Sequence, residues 1–217
     1  MELKLDLHIH SNYSPDSFSS IDSIQSQIEE IGFQGYALAD HDTMGGLEEA
    51  LQKSGDLTVI PAMEVSAKGA HVLALDPTEI IPIGLNVSEV VDRIHDQGAT
   101  AILAHPYGLP RSWPNMGEIR KTRFDAIEVA NSEQFPYELI CELNQQLALR
   151  LKLPATGGSD SHIPGTVGRS YTIVESESTD YHDVIKAIKL GRTKIGGSHT
   201  RFSEWFTKNV SKRMNRG

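Results

Sequence analysis

The chain has 217 residues and a mass of 23.9 kDa, enough for one well-buried core, and a barrel or doubly wound sheet would use nearly all of it. With 39% hydrophobic and 23% charged residues the composition is that of an ordinary globular protein, which excludes a disordered or low-complexity chain. The formal charge is −9, and a single cysteine, Cys141, excludes an internal disulfide and any thiolate metal cluster.

The first strand is predicted at Leu3–Ile9 in "LKLDLHIH". Period-two alternation places Leu3, Leu5, Leu7 and Ile9 on one face and Asp6, His8 and His10 on the other. A helix follows in "SIDSIQSQIEEIG", then a strand at Gly35–Ala39 and a helix in "TMGGLEEALQKSG". Strands at Thr58–Val65 and His71–Leu75 precede a helix in "NVSEVVDRIHDQG", which starts at Asn86 or Ser88. Beyond it come strands at Thr100–Ala104 and Asp125–Val129, with the loop "YGLPRSWPNMGEIRKTR" between them. The helix "YELICELNQQLALRL" contains Cys141, read as a small core residue, and strands follow at Ala155–Gly157 and Tyr171–Val174. The last helix, "TDYHDVIKAIKLG", starts at Thr179 or Asp180. Three helices stop at a glycine, at Gly32, Gly98 and Gly191. This alternation predicts an α/β fold with a parallel sheet, in the form of a small or incomplete barrel over residues 1–200.

Residues 201–217 form a basic C-terminal tail. They hold five basic residues against Glu204, leaving −13 on the first 200 residues. Trp205, Phe206 and Val210 offer an apolar stripe for docking the tail on the body, and its basic residues suit a contact with nucleic acid. The acidic body is a poor general nucleic-acid surface but suits a chain that holds several divalent cations. No stretch has the make-up of a leader or a bilayer span, so a cytoplasmic protein without membrane contact is expected.

The polar residues gather at the strand ends. His8 and His10 end the first strand and Asp16 follows in the loop; Asp40 and His41 end the second, and Glu64 closes an otherwise apolar third. His71 opens the fourth, His105 follows the fifth, Glu128 and Asn131 lie on the sixth, and Asp160 and His162 follow two glycines. In a (β/α) barrel the C-terminal strand ends converge on one mouth, so six histidines and three carboxylates there predict a metal site. His95, His182 and His199 fall in helical or tail segments and are read as surface residues. Imidazole with carboxylate suits Mn²⁺, Fe²⁺ or Zn²⁺. Nine candidate ligands are too many for one ion, so two or three are expected, with Glu64 as a bridge. Asp6 and Asp40, beside the histidines, are read as acceptors that fix ring tautomers.

"DLHIH", "DHDT", the isolated Glu64, "AHP" and "GSDSH" together resemble the motifs of the polymerase and histidinol phosphatase (PHP) superfamily, in order from Asp6 to His162. The resemblance implies a distorted (β/α)7 barrel that hydrolyses phosphoesters at a mouth holding two or three ions. It assigns His8, His10, Glu64 and Asp160 to one ion, Glu64, His71 and His105 to a second, and Asp16, His41 and His162 to a third. Asp16 stands where some members carry histidine. Only 33 residues separate His71 from His105, so the helical insertion that lids the branch acting on nucleotides and RNA 5′ ends is expected to be missing.

The expected reaction is attack by a metal-bound hydroxide on a phosphomonoester such as a nucleotide or sugar phosphate. The alternatives are a 5′–3′ exonuclease on short oligonucleotides, a histidinol-phosphate phosphatase and a non-catalytic metal-binding scaffold. Lapsed sites should have lost ligands, whereas all nine positions here are ligand-capable. Substrate contacts are expected from Arg111, suited to pairing with phosphate, from Trp113, suited to stacking on a base, and from Arg169.

Overall fold

The computed structural model describes residues 1–108 and 114–201. Nine strands form one sheet: β1 (Glu2–Ile9), β2 (Gly35–Leu38), β3 (Thr58–Ala67), β4 (Ala70–Leu75), β5 (Thr100–Ala104), β6 (Ala126–Asn131), β7 (Ala155–Gly158), β8 (Ser170–Glu175) and β9 (Thr193–Gly197). Among the described residues six α-helices connect them: α1 (Ile21–Glu30), α2 (Leu47–Gln52), α3 (Val87–Asp96), α4 (Met116–Ile119), α5 (Tyr137–Leu151) and α6 (Tyr181–Lys189). The strand order is β7-β6-β5-β4-β3-β2-β1-β8-β9.

The sheet curls until β7 returns to β1 and β8. Asp160 N donates to His8 O at 2.8 Å and His10 N to Ser161 O at 2.9 Å. The Thr172 hydroxyl joins Gly157 N and Gly157 O, each at 2.8 Å. The result is a nearly closed, distorted α/β barrel, as the motifs imply.

Pairing within the sheet is mixed, which corrects the expected parallel arrangement. β1–β2–β3 and β5–β6–β7 pair in parallel, whereas β4 runs antiparallel to β3 and β5, and β8 antiparallel to β1 and β9. Only Lys68 and Gly69 separate β3 from β4, and Gly69 has φ 77°. So short a link can only reverse the chain, since a parallel return needs a crossover of a dozen residues or more. The reversal explains why His71 opens its strand: the start of β4 lies at the same end as the finish of β3 and β5, which run opposite to it.

Other elements differ from expectation for local reasons. Within "TMGGLEEALQKSG" only Leu47–Gln52 is helical. Gly45 and Gly46 form a turn before it, and Gly46 lies so close to Tyr13 that a Cβ there would meet its ring at 2.8 Å. The long loop after His105 contains the short helix α4, capped by Asn115 accepting from Gly117 N. β9 escapes the strand pattern because "TKIGG" is short and ends in two glycines. Cys141 is half-buried on α5 and is not a core residue. Gly32, Gly98 and Gly191 adopt φ of 71°, 75° and 70° just past α1, α3 and α6, as helix-stopping glycines do.

The core is layered by strand alternation. Leu73, Leu75, Ile102, Ala104 and Ala126 join Leu3, Leu5 and Leu7 in an inner cluster, closed by Val184, Ile185 and Ile188 of α6. Their neighbours Val72, Ala74, Ala101 and Leu103 pack outward with Val90, Val91 and Ile94 of α3 and Leu147 of α5. Leu73 is 1% exposed in the inner layer, and Leu73→Ala is expected to cost about 2–5 kcal/mol, read as a lower denaturant midpoint with unchanged slope.

The first strand departs from simple alternation. Its register with β2 shifts between Asp6 and Ile9. Leu7 stays in the inner cluster, while Ile9 packs with Ile21, Ile24 and Ile28 of α1. The irregularity corrects the expected grouping of all four apolar residues on one face, and brings His8 inward beside Glu64. Among the described residues no helix is long and apolar enough to cross a membrane. Residues 202–217, with Trp205, Phe206 and Val210, lie outside the described part, as do Arg111 and Trp113.

Candidate metal centre

Glu64, 1% exposed near the end of β3, is the hub of the mouth. Its Oε2 faces His8 Nε2 at 3.3 Å, His10 Nε2 at 3.3 Å and His41 Nδ1 at 3.0 Å. Its Oε1 faces His71 Nδ1 at 2.8 Å and His105 Nε2 at 2.9 Å. Asp160 Oδ1 lies 3.1 Å from His10 Nε2, and Asp16 Oδ2 lies 3.2 Å from His162 Nε2. All nine residues singled out as ligand candidates thus meet at one end of the barrel.

Among the described residues, four subsets have donor atoms within 4.8 Å of one another: His8, His10, Glu64 and Asp160; His41, Glu64 and His71; His10, His41 and His162; and His8, His105 and Glu128. The first repeats the grouping implied by the motifs, and the last contains Glu128, which those groupings omit. Glu128 is 1% exposed and meets His8 Nδ1 at 2.9 Å. Its signal in the sequence is the same as that of Glu64, a carboxylate inside an otherwise apolar strand. Asn131, three residues on, donates from Nδ2 to Glu128 and to Asp160.

Asp6 and Asp40 do not act on rings, which corrects the role expected of them. Asp6 accepts from the backbone N–H groups of Ser159, Gly168 and His8, at 2.8, 2.8 and 3.2 Å, and so ties the β7–β8 connection to β1. Asp40 accepts from Ser11 N and Ser11 Oγ, both at 2.6 Å. Asp42 does the same between the end of β2 and its neighbour β3, accepting from Ser66 N and Oγ at 2.7 Å each. A lone carboxylate beside a histidine carries no sign of whether it will meet a ring or a loop amide. The ring contacts of His10 and His162 come instead from Ser14 Oγ, 3.4 Å from His10 Nδ1, and from the Asp160 carbonyl, 2.7 Å from His162 Nδ1.

The electrostatics follow from this crowding. Burial would raise the Glu64 carboxyl, but the facing rings of His8, His71, His105 and His41 hold it well below the ordinary carboxylate range. Asp160 is likewise pushed up by burial and held well below by His8, His10 and His162. Burial works against a charge on His41, yet Glu64 and Asp16 lift that ring to about 9. Burial and the neighbouring His162 push His10 well down, against the pull of Asp160. The Asp6 carboxyl is raised to about 6 by burial, offset in part by Ser159 and Gly168.

The donor set fits divalent metal ions. His8 Nε2, His162 Nε2 and Glu64 Oε2 are buried and have no hydrogen-bond partner among the described residues. A carbonyl can only accept, so His162 carries a proton on Nδ1 and turns Nε2 toward Asp16. Buried imidazole nitrogens and carboxylate oxygens facing one another without hydrogen bonds are costly unless a cation lies between them. His105 and Asp160 hold positive φ, 27° and 55°, an investment in backbone strain of a kind that clusters at functional sites.

The other residues singled out that the structure describes have partners of their own. Arg169, half-buried just before β8, donates its N–H to Thr166 O at 3.2 Å. His95 pairs with Asp125 at 2.9 Å, His182 with Asp180 at 2.8 Å, and the His199 ring lies 6.4 Å from that of Tyr137.

A family model described as PHP-associated matches residues 141–193. An uncharacterised protein of Methanocaldococcus jannaschii is 33% identical over 117 residues, or 48% of this chain and 68% of that protein. Among solved structures, a two-domain Bacteroides vulgatus protein containing a predicted PHP-like metal-dependent phosphoesterase matches 91% of this chain with a TM-score of 0.77 and 20% identity. The chain spans 65% of that protein, just under two thirds of its length. The lesion-specific endonuclease EndoQ of Pyrococcus furiosus matches 90% of this chain, and 58% of its own length, with a TM-score of 0.70 and 19% identity. At these identities the solved structures establish a common fold.

Proposed function

Because the chain belongs to the PHP superfamily, a group of metal-dependent hydrolases of phosphoesters, we propose that it hydrolyses phosphomonoesters such as nucleotides or sugar phosphates, with two or three divalent ions at the barrel mouth. The observation that carries this reading is Glu64, whose two oxygens face separate sets of imidazoles as a bridging carboxylate would. Bound there, Mn²⁺, Zn²⁺ or Fe²⁺ would lower the pKa of a coordinated water and neutralise the charge of a phosphoryl group.

The chain's own residues supply the rest. His8, His10, Glu64 and Asp160 hold one ion; Glu64, His71 and His105 a second; Asp16, His41 and His162 a third. Asp6, Asp40 and Asp42 fix the loops that carry them. Arg111, Trp113 and Arg169 are assigned to the substrate, the first pairing with phosphate and the second stacking on a base.

One observation favours a second reading. Between β4 and β5 the structure holds the single helix α3 and no further helix, so no lid rises from that connection. A mouth open on this side suits a larger substrate, and the fold is shared with a lesion-specific endonuclease. Cleavage of an oligonucleotide is therefore the alternative.

The test is a panel of mononucleotides, sugar phosphates, histidinol phosphate and a 5′-phosphorylated oligonucleotide, given to protein stripped by chelator and reloaded with Mn²⁺. Phosphate release from the monoesters only after reloading is the expected result. Shortening of the oligonucleotide without phosphate release from any monoester would replace this reading with the nuclease one.

A further inference from the structure

Resting on the metal-centre reading above, we propose that Glu128 is the positioning residue that sets the tautomer of His8, keeping its proton on Nδ1 so that Nε2 is presented as a ligand atom. Glu128 is enclosed by donors. Its Oε2 accepts from His105 N at 3.0 Å and from Asn131 Nδ2 at 3.0 Å. The Asn131 amide cannot turn over, because its Oδ1 accepts from Glu133 N at 3.0 Å and its Nδ2 also donates to Asp160 Oδ2 at 3.2 Å. The other oxygen, Oε1, meets His8 Nδ1 at 2.9 Å.

An ionised carboxylate can only accept, so the ring nitrogen facing it must carry the proton. The opposite tautomer would set a ring lone pair against carboxylate lone pairs in a site closed to water. Nε2, 3.3 Å from Glu64 Oε2 and 3.7 Å from Asp160 Oδ1 and without a hydrogen bond among the described residues, is then the ring nitrogen left for a cation. Gly158 packs against the base of this pair: a Cβ there would meet His8 Cβ at 2.4 Å and Glu128 Oε1 at 3.1 Å.

Glu128→Gln makes the proposal testable without an activity assay. The amide offers one acceptor where three donors converge. Keeping its oxygen toward His105 N and Asn131 satisfies two of them and turns the NH₂ toward His8. The ring must then accept at Nδ1 and carry its proton on Nε2, the atom proposed to bind metal.

The experiment is ¹⁵N NMR of histidine-labelled, Zn²⁺-loaded protein, with the His8 signals assigned from their loss in His8→Gln, combined with Zn²⁺ stoichiometry and affinity by calorimetry. The wild type is expected to show His8 protonated at Nδ1 and metal-bound at Nε2. Glu128→Gln is expected to bind Zn²⁺ about 10–100-fold more weakly at the affected site and to move the His8 proton to Nε2. Wild-type stoichiometry and affinity in Glu128→Gln would overturn the proposal. So would a Zn²⁺-loaded wild type with the His8 proton on Nε2, a result that needs no variant to fold. If that last result appears with normal Zn²⁺ uptake, only the role of Glu128 falls. A wild type that takes up no Zn²⁺ overturns the metal-centre reading along with it.

Discussion

Glu64→Gln is expected to lower metal-dependent phosphoester hydrolysis by about 10²–10⁴-fold while the protein stays folded. The estimate follows from the position of the residue. Loss of a group that merely supports a ligand costs about 10–100-fold in metal affinity or activity, and Glu64 is proposed to serve two ions at once. Glutamine preserves the shape of the side chain and removes the charge that His8, His10, His41, His71 and His105 all face. Steady-state phosphate release at saturating Mn²⁺, with a thermal melt as control for folding, measures the effect. A rate within a few-fold of wild type would show that these imidazoles gather round Glu64 for a structural reason alone.

Asp160→Asn and Asp160→Ala form the second test, because the pair separates charge from backbone. Asp160 sits at φ 55°, a left-handed conformation that asparagine tolerates and alanine resists at a cost of roughly 1–2 kcal/mol. Both variants lose the carboxylate that faces His8, His10 and His162. Both are expected to lose about 10–100-fold or more in activity. Only the alanine variant is expected to show a clearly lower melting temperature. Full activity in the asparagine variant would remove Asp160 from the ligand set, whatever the alanine variant did.

Much of this architecture is legible in the sequence because each signal is local. The alternation of Leu73 and Leu75 with Val72 and Ala74 reports a strand buried on both faces, and Gly32, Gly98 and Gly191 mark the helix ends. The convergence of histidines follows once the strand ends are placed on a barrel. What could not be read depends on pairing between distant segments. The register shift in β1 exists only against β2, and it decides that His8 and Leu7 both turn inward. The reversal of β4 rests on a two-residue link, and the separate ties of Asp6 and Asp40 rest on loop amides far along the chain. Glu128 shows both sides of this: its strand is evident, but its bond to His8 spans 120 residues of sequence.

The central claim is that the imidazole and carboxylate cluster is a hydrolytic metal centre. It is tested most directly by adding Mn²⁺ stepwise to chelator-stripped protein while counting both bound ions and phosphate released from a good monoester substrate. The account predicts no release from the stripped protein and activity that climbs to a plateau as two or three equivalents bind. Undiminished hydrolysis by protein shown to be metal-free, or failure to take up any ion, would contradict it.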